Sequence, residues 1–116
     1  MAEVCEVFLN VYDLHDSNGA LHTVGMGFYH TGVEVRGWEY SFSDSGIHRT
    51  RPRLPEFGNF REQISMGIYT GSISEVNNVV TSMGCERFAP GRYNLTSLNC
   101  NHFSDALCQL LTAQRI

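Results

Sequence analysis

The sequence predicts an α+β domain, with mainly antiparallel strands first and helices second, and three observations carry that expectation. Apolar residues alternate with period two through much of the first half of the chain, and glycine-centred turn signals punctuate that half. The last third switches to helical spacing, with polar capping residues ahead of each apolar run.

Val7, Leu9 and Val11 alternate with Phe8 and Asn10, which defines a first strand, and Ser17-Asn18-Gly19 is a hairpin-turn signal. In the second strand Val24, Met26, Phe28 and His30 share one parity, so His30 ends a row of apolar side chains on one inward face. Val33 and Val35 then lie on the opposite parity from Trp38, Tyr40 and Phe42. The change falls at Gly37 and predicts a bulge in a third strand. Residues 43–59, rich in proline and glycine, read as a long loop or a pair of turns, and residues 60–69 resume a strand-like pattern.

Ser72-Ile73-Ser74-Glu75 has capping-box spacing, and Val76, Val79, Val80 and Met83 follow at helical intervals, with Gly84 ending the helix. After a turn at Pro90-Gly91, Asn99 is the expected N-cap of a last helix whose Cys100, Phe103, Leu107 and Leu110 or Leu111 share a face. No internal repeat, low-complexity tract or linker interrupts the chain, so residues 1–116 read as a single domain.

With 116 residues, such a domain buries about 65% of the surface its unfolded chain exposes, and it needs no cofactor or disulfide to hold it together. The apolar runs are far short of a membrane span, and the N-terminal residues lack the pattern of a secretory signal. A reducing cytoplasmic setting, extending to the nucleus, is therefore expected, with Cys5, Cys85, Cys100 and Cys108 as free thiols. The formal charge is −4 and all eight basic residues are arginines. The one basic cluster, His48-Arg49-Thr50-Arg51-Pro52-Arg53, is too small for a nucleic-acid surface and reads as a solvated loop. The absence of lysine fits either avoidance of lysine-linked modifiers or an arginine-rich lineage composition.

Cys100 is the first candidate nucleophile. A helix N-terminus supplies unpaired N–H groups and partial positive charge, both of which favour the reactive thiolate. Five histidines compete to be its base. His102 lies at i+2, about 200° around the helix from the thiol, and is expected to cap, pack or bind backbone. His15 and His22 flank the hairpin turn and His48 sits in the arginine-rich segment. His30, held at the end of a strand, has the rigid support that a base requires, although a core histidine would look the same. Zinc chelation lacks its usual spacing, because Cys100 and His102 diverge and the chain has no Cys-x-x-Cys pair.

The segment Gly27-Phe28-Tyr29-His30-Thr31-Gly32-Val33-Glu34-Val35, with Trp38-Glu39-Tyr40-Ser41-Phe42, Tyr93-Asn94-Leu95 and Asn99-Cys100-Asn101-His102-Phe103-Ser104, resembles the PPPDE superfamily. These are permuted papain-fold peptidases that include the desumoylating isopeptidases. Val11-Tyr12-Asp13-Leu14 and Met66-Gly67 with Thr70 extend the resemblance over nearly the whole chain. It implies a permuted papain-like fold and a catalytic dyad of His30 and Cys100, with the histidine ahead of the cysteine in the chain.

The activity so implied is that of a cysteine isopeptidase releasing a ubiquitin-like modifier, ubiquitin or SUMO, from lysine. The chain as a whole looks nearer to the branch associated with ubiquitin. The expected partners are the modifier and its conjugates, with a homodimer as a further option and neither nucleic acid nor membrane. Asn99 and Asn101 are candidates for a side-chain oxyanion donor, each equally well explained as a cap, and no residue stands out as a third catalytic member. Trp38, Tyr40 and Tyr29 fit either a narrow cleft for a Gly-Gly tail or an ordinary core. A protein S-acyl thioesterase using the same dyad and a non-catalytic modifier-binding module are the alternative functions.

Overall fold

The computed structural model describes residues 4–14, 29–53, 58–94 and 97–112. The turn at residues 17–19, His15, His22 and the first half of the expected second strand lie outside them. Strands β1 (Cys5–Leu14), β2 (Tyr29–Val35), β3 (Trp38–Ser43), β4 (Gly46–Thr50) and β5 (Gly58–Tyr69) are followed by helices α1 (Ile73–Cys85) and α2 (Cys100–Thr112). The strands form one antiparallel sheet in the order β4-β3-β2-β1-β5. The α+β class and the strands-then-helices order are as the sequence predicts.

Period-two alternation sorts the sheet into two faces. Val7, Leu9 and Val11 of β1, Val33 and Val35 of β2, and Tyr40 and Phe42 of β3 are buried in one core with Met66, Val76, Phe103 and Leu107. The other face carries a buried polar cluster around Glu39, only 5% exposed. Asn10 Nδ2 donates to Glu39 at 2.7 Å, the Tyr12 hydroxyl at 2.7 and 2.8 Å, and the Arg53 backbone amide at 2.9 Å. These donors satisfy the carboxylate where water cannot reach it. Gly32 is required beside it, because a Cβ there would collide with the Glu39 side chain.

Two sequence expectations are corrected. The parity change at Gly37 is a hairpin turn, not a bulge within one strand. Arg36 and Gly37 both have positive φ, at 53° and 81°, the geometry of a two-residue turn whose twist matches its flanking strands. Such a turn reverses the chain and resets which parity faces the core. The register irregularities lie instead between β1 and β5, at Val7/Phe8 and Val11/Tyr12. The second correction concerns residues 43–59, which contain β4, paired with β3 from Ser43↔Gly46 to Glu39↔Thr50. Proline and arginine mask the strand signal there, but His48 sits on β4 and its Nε2 is 2.7 Å from the Ser43 hydroxyl.

Both helices start where the capping residues place them. Ser72 Oγ accepts from the Glu75 amide at 3.1 Å, and α1 continues one residue beyond Gly84 to Cys85, where the Glu86 amide caps the Met83 carbonyl. Asn99 Oδ1 accepts from the amides of Asn101 and His102 at 2.9 and 3.3 Å. Neither described helix is long and apolar enough to cross a membrane.

Candidate active site

The site is built where β2 parts from β3. Their ladder runs only from Val35↔Trp38 to Val33↔Tyr40, whereas β2 stays paired with β1 back to Tyr29. β2 therefore runs on past the end of its described ladder with β3. The N-terminus of α2 docks on this stretch, and the Thr31 backbone amide hydrogen bonds to the Cys100 sulfur. A backbone amide of a strand lies near the plane of the sheet, so the sulfur sits near that plane at the β3-side edge of β2. The Thr31 hydroxyl, 2.8 Å from both Asn101 Oδ1 and Ser104 Oγ, pins the first turn of α2 to the strand.

His30 directly precedes Thr31, so the strand brings the two predicted dyad positions to one edge although seventy residues separate them in the chain. Alternation sends Thr31 toward α2 and His30 toward the opposite face, where the His30 ring lies 5.6 Å from the Tyr12 ring. Tyr12 is in turn fixed by its bonds to Glu39. This line of contacts, Glu39 to Tyr12 to His30, escaped the sequence reading. Its only signal there was a set of polar residues, Asn10, Tyr12, Glu34 and Glu39, on the parity opposite the core.

Burial sets the protonation states. The Cys100 thiol is pushed up by burial, at 5% exposure, against hydrogen bonds from Thr31, Tyr93, its own amide and that of Asn101. Burial also lowers His30 to about 4. The expectation that the helix N-terminus lowers the thiol is thus reversed in the resting site. Desolvation outweighs a helix-end effect of about 0.3–1 kcal/mol, and thiol and imidazole are both neutral at pH 7. Cys108 on the same helix is pushed up to about 12 by burial and by Asp105.

Other candidates are placed differently. His102 is the third residue of the helix, and its Nδ1 accepts the Asn99 backbone amide at 3.0 Å, closing a capping box in which histidine replaces the usual Glu or Gln. Tyr40, 1% exposed, is a core residue whose hydroxyl donates to Asn77 Oδ1 at 2.7 Å. Trp38 carries the Arg49 and Arg51 guanidinium carbons 4.1 and 4.2 Å from its ring centroid, at the far end of β2 from Thr31. Neither therefore lines a cleft at Cys100, and the Tyr29 side chain is outside the described set. The sequence reading missed Tyr93 as a site residue; its hydroxyl bonds the Cys100 sulfur.

A cysteine at a helix start, docked on the edge of an antiparallel sheet beside a buried strand histidine, defines a chain of the papain-like α+β class. Residues 5–116 match the family described as "PPPDE putative peptidase domain", and the chain belongs to that family. It is 38% identical over 119 residues to the desumoylating isopeptidase 1 homolog of Caenorhabditis elegans, an alignment covering 95% of this chain and 35% of that protein. A DeSI-like protein of Arabidopsis thaliana is 31% identical over 99% of this chain and 53% of its own length. For a DeSI-like protein of Schizosaccharomyces pombe the figures are 36%, 96% and 60%. The chain thus spans between about a third and three fifths of these curated relatives.

Proposed function

We propose that the protein is a thiol-dependent isopeptidase that removes a ubiquitin-like modifier from lysine side chains, with Cys100 as nucleophile and His30 as base. The observation that supports this reading is the Thr31 amide on the Cys100 sulfur, Thr31 being the residue that follows His30 on β2. Membership of a peptidase family and relatives named desumoylating isopeptidase or DeSI-like support the modifier class. Those names favour SUMO conjugates over ubiquitin conjugates as substrate. Localisation to the cytoplasm or nucleus is part of this reading, with the cysteines as free thiols.

In this mechanism the Cys100 proton passes to neutral His30 as the sulfur attacks the modifier's C-terminal glycyl carbonyl. The Cys100 amide at the start of α2 faces the developing oxyanion, while the Asn101 and His102 amides are held by Asn99 Oδ1. The tetrahedral adduct collapses by breaking the C–N bond, and the His30 imidazolium protonates the departing lysine amine. Water, deprotonated by His30, then hydrolyses the thioester and regenerates the thiol. Incubating the protein with SUMO and ubiquitin C-terminal propargylamide probes, read by intact and peptide mass, tests the assignment. A single adduct on Cys100, absent in Cys100→Ala, is expected with at least one modifier. Adducts on Cys5, Cys85 or Cys108 instead, or none at all, would overturn it.

A further inference from the structure

We propose that Tyr93 is the side-chain oxyanion donor of this site, its phenol hydroxyl hydrogen bonding to the former carbonyl oxygen of the scissile amide once Cys100 has attacked. The proposal rests on the assignment of Cys100 as nucleophile and names the donor that the sequence left open between Asn99 and Asn101. Asn99 and Asn101 are each oriented through the side-chain oxygen, Asn99 Oδ1 capping α2 and Asn101 Oδ1 accepting the Thr31 hydroxyl.

The chain delivers Tyr93 to the sulfur by a local device. Asn94 and Leu98 form an isolated antiparallel bridge, with amide-to-carbonyl bonds of 2.8 and 2.9 Å in the two directions, and Asn94 Oδ1 accepts the Ser97 amide at 3.1 Å. In an antiparallel pair the residue before one partner lies across from the residue after the other. Tyr93 is therefore opposite Asn99, at the mouth of α2. Its ring is fixed 5.3 Å from Phe42, which also contacts Phe88 at 5.1 Å and Phe103 at 6.2 Å. Phe103 lies one turn beyond Cys100 on α2. One aromatic cluster thus holds the donor and the nucleophile's helix in a common frame, the preorganisation that oxyanion stabilisation requires.

The Tyr93 hydroxyl already hydrogen bonds to the sulfur in the resting site. Burial, reinforced by Cys100, pushes this phenol up to about 12, so it remains a donor throughout the working pH range. A bond kept only to a thiolate would stabilise the ground state and slow attack, because catalysis needs interactions that strengthen in the transition state. On attack the S–C bond forms and the carbonyl π pair moves to oxygen, one carbon away from the sulfur. The hydroxyl exchanges its sulfur bond for one to that oxygen, donating throughout without transferring its proton. When the C–N bond breaks and His30 protonates the amine, the carbonyl re-forms and the hydroxyl returns.

Two reactions of the same sulfur separate this role from others: hydrolysis of SUMO– and ubiquitin–aminocoumarin amides, which passes through an oxyanion, and alkylation by iodoacetamide, which does not. Tyr93→Phe keeps the ring against Phe42 and is expected to lower kcat about 10²–10³-fold while Cys100 alkylation changes by less than about threefold. Equal losses in both reactions would assign Tyr93 to holding the thiolate or the fold, and unchanged hydrolysis would remove it from catalysis; either result overturns the proposal. Hydrolysis surviving in Cys100→Ala, or absent from the wild type with both substrates, would instead overturn the assignment of Cys100 and this proposal with it.

Discussion

The two helices begin with the same local device and come to different ends. At the start of α1, Ser72 caps the Glu75 amide and the Glu75 side chain lies 3.4 Å from the Ser72 hydroxyl. At the start of α2, Asn99 caps two amides and His102 returns to the Asn99 amide. The first start is surface structure. The second places Cys100 in its first turn, buries it, and docks it on a strand edge from which β3 has departed. A helix N-terminus is therefore only a potential site; docking against β2, where the amide of Thr31, the residue after His30, meets the Cys100 sulfur, sets α2 apart.

The largest expected effect is at the proposed nucleophile. Cys100→Ala removes hydrolysis of modifier–aminocoumarin substrates by at least about a thousandfold, with a modest shift in thermal midpoint, because alanine suits the first helical turn. A midpoint loss as large as the activity loss would place Cys100 with the core, as a second Cys108.

Next comes the proposed base. His30→Ala is expected to lower kcat about 10²–10⁴-fold. With the imidazole held at about 4, the wild-type kcat/KM is flat near neutrality and falls only as pH drops toward 4. The same shift bears on stability. An unfolded chain takes up a proton at His30 near pH 6.5 while the folded one resists until about 4, so stability is lost as pH falls through that window, by about 3 kcal/mol at most. Denaturant titrations at pH 7 and pH 4.5 should show that loss reduced in His30→Asn relative to wild type; identical losses would mean that His30 is not buried neutral.

Smaller effects separate capping from chemistry. His102→Ala removes the acceptor of the Asn99 amide and should cost about 1 kcal/mol in urea unfolding while kcat stays within about tenfold. An inactive His102→Ala of unchanged stability would transfer the base role to His102. Ser72→Ala, the matching change at α1, should cost about 1 kcal/mol and leave hydrolysis at the wild-type rate. Any loss of activity there would break the contrast between the two helix starts.

Local chemistry was legible in the sequence wherever the cause is local. The caps at Ser72 and Asn99, the helical faces of Val76 and Phe103, and the alternation in β1 follow from spacing along a few residues, and His102 could be turned from the thiol by helical geometry alone. The family motifs brought His30 and Cys100 forward as a pair. Only the tertiary structure decided the rest, because each remaining feature depends on what a distant segment does. The strand β4 exists through its pairing with β3, against a local composition of arginine and proline. Glu39 is buried because Asn10, Tyr12 and the Arg53 amide converge on it from other elements. The thiol is raised rather than lowered because docking α2 on β2 excludes water, a cost that no helix-end argument contains. Tyr93, seven residues before Cys100, reaches the sulfur because the Asn94–Leu98 bridge folds the chain back, and no spacing rule along the chain encodes that return.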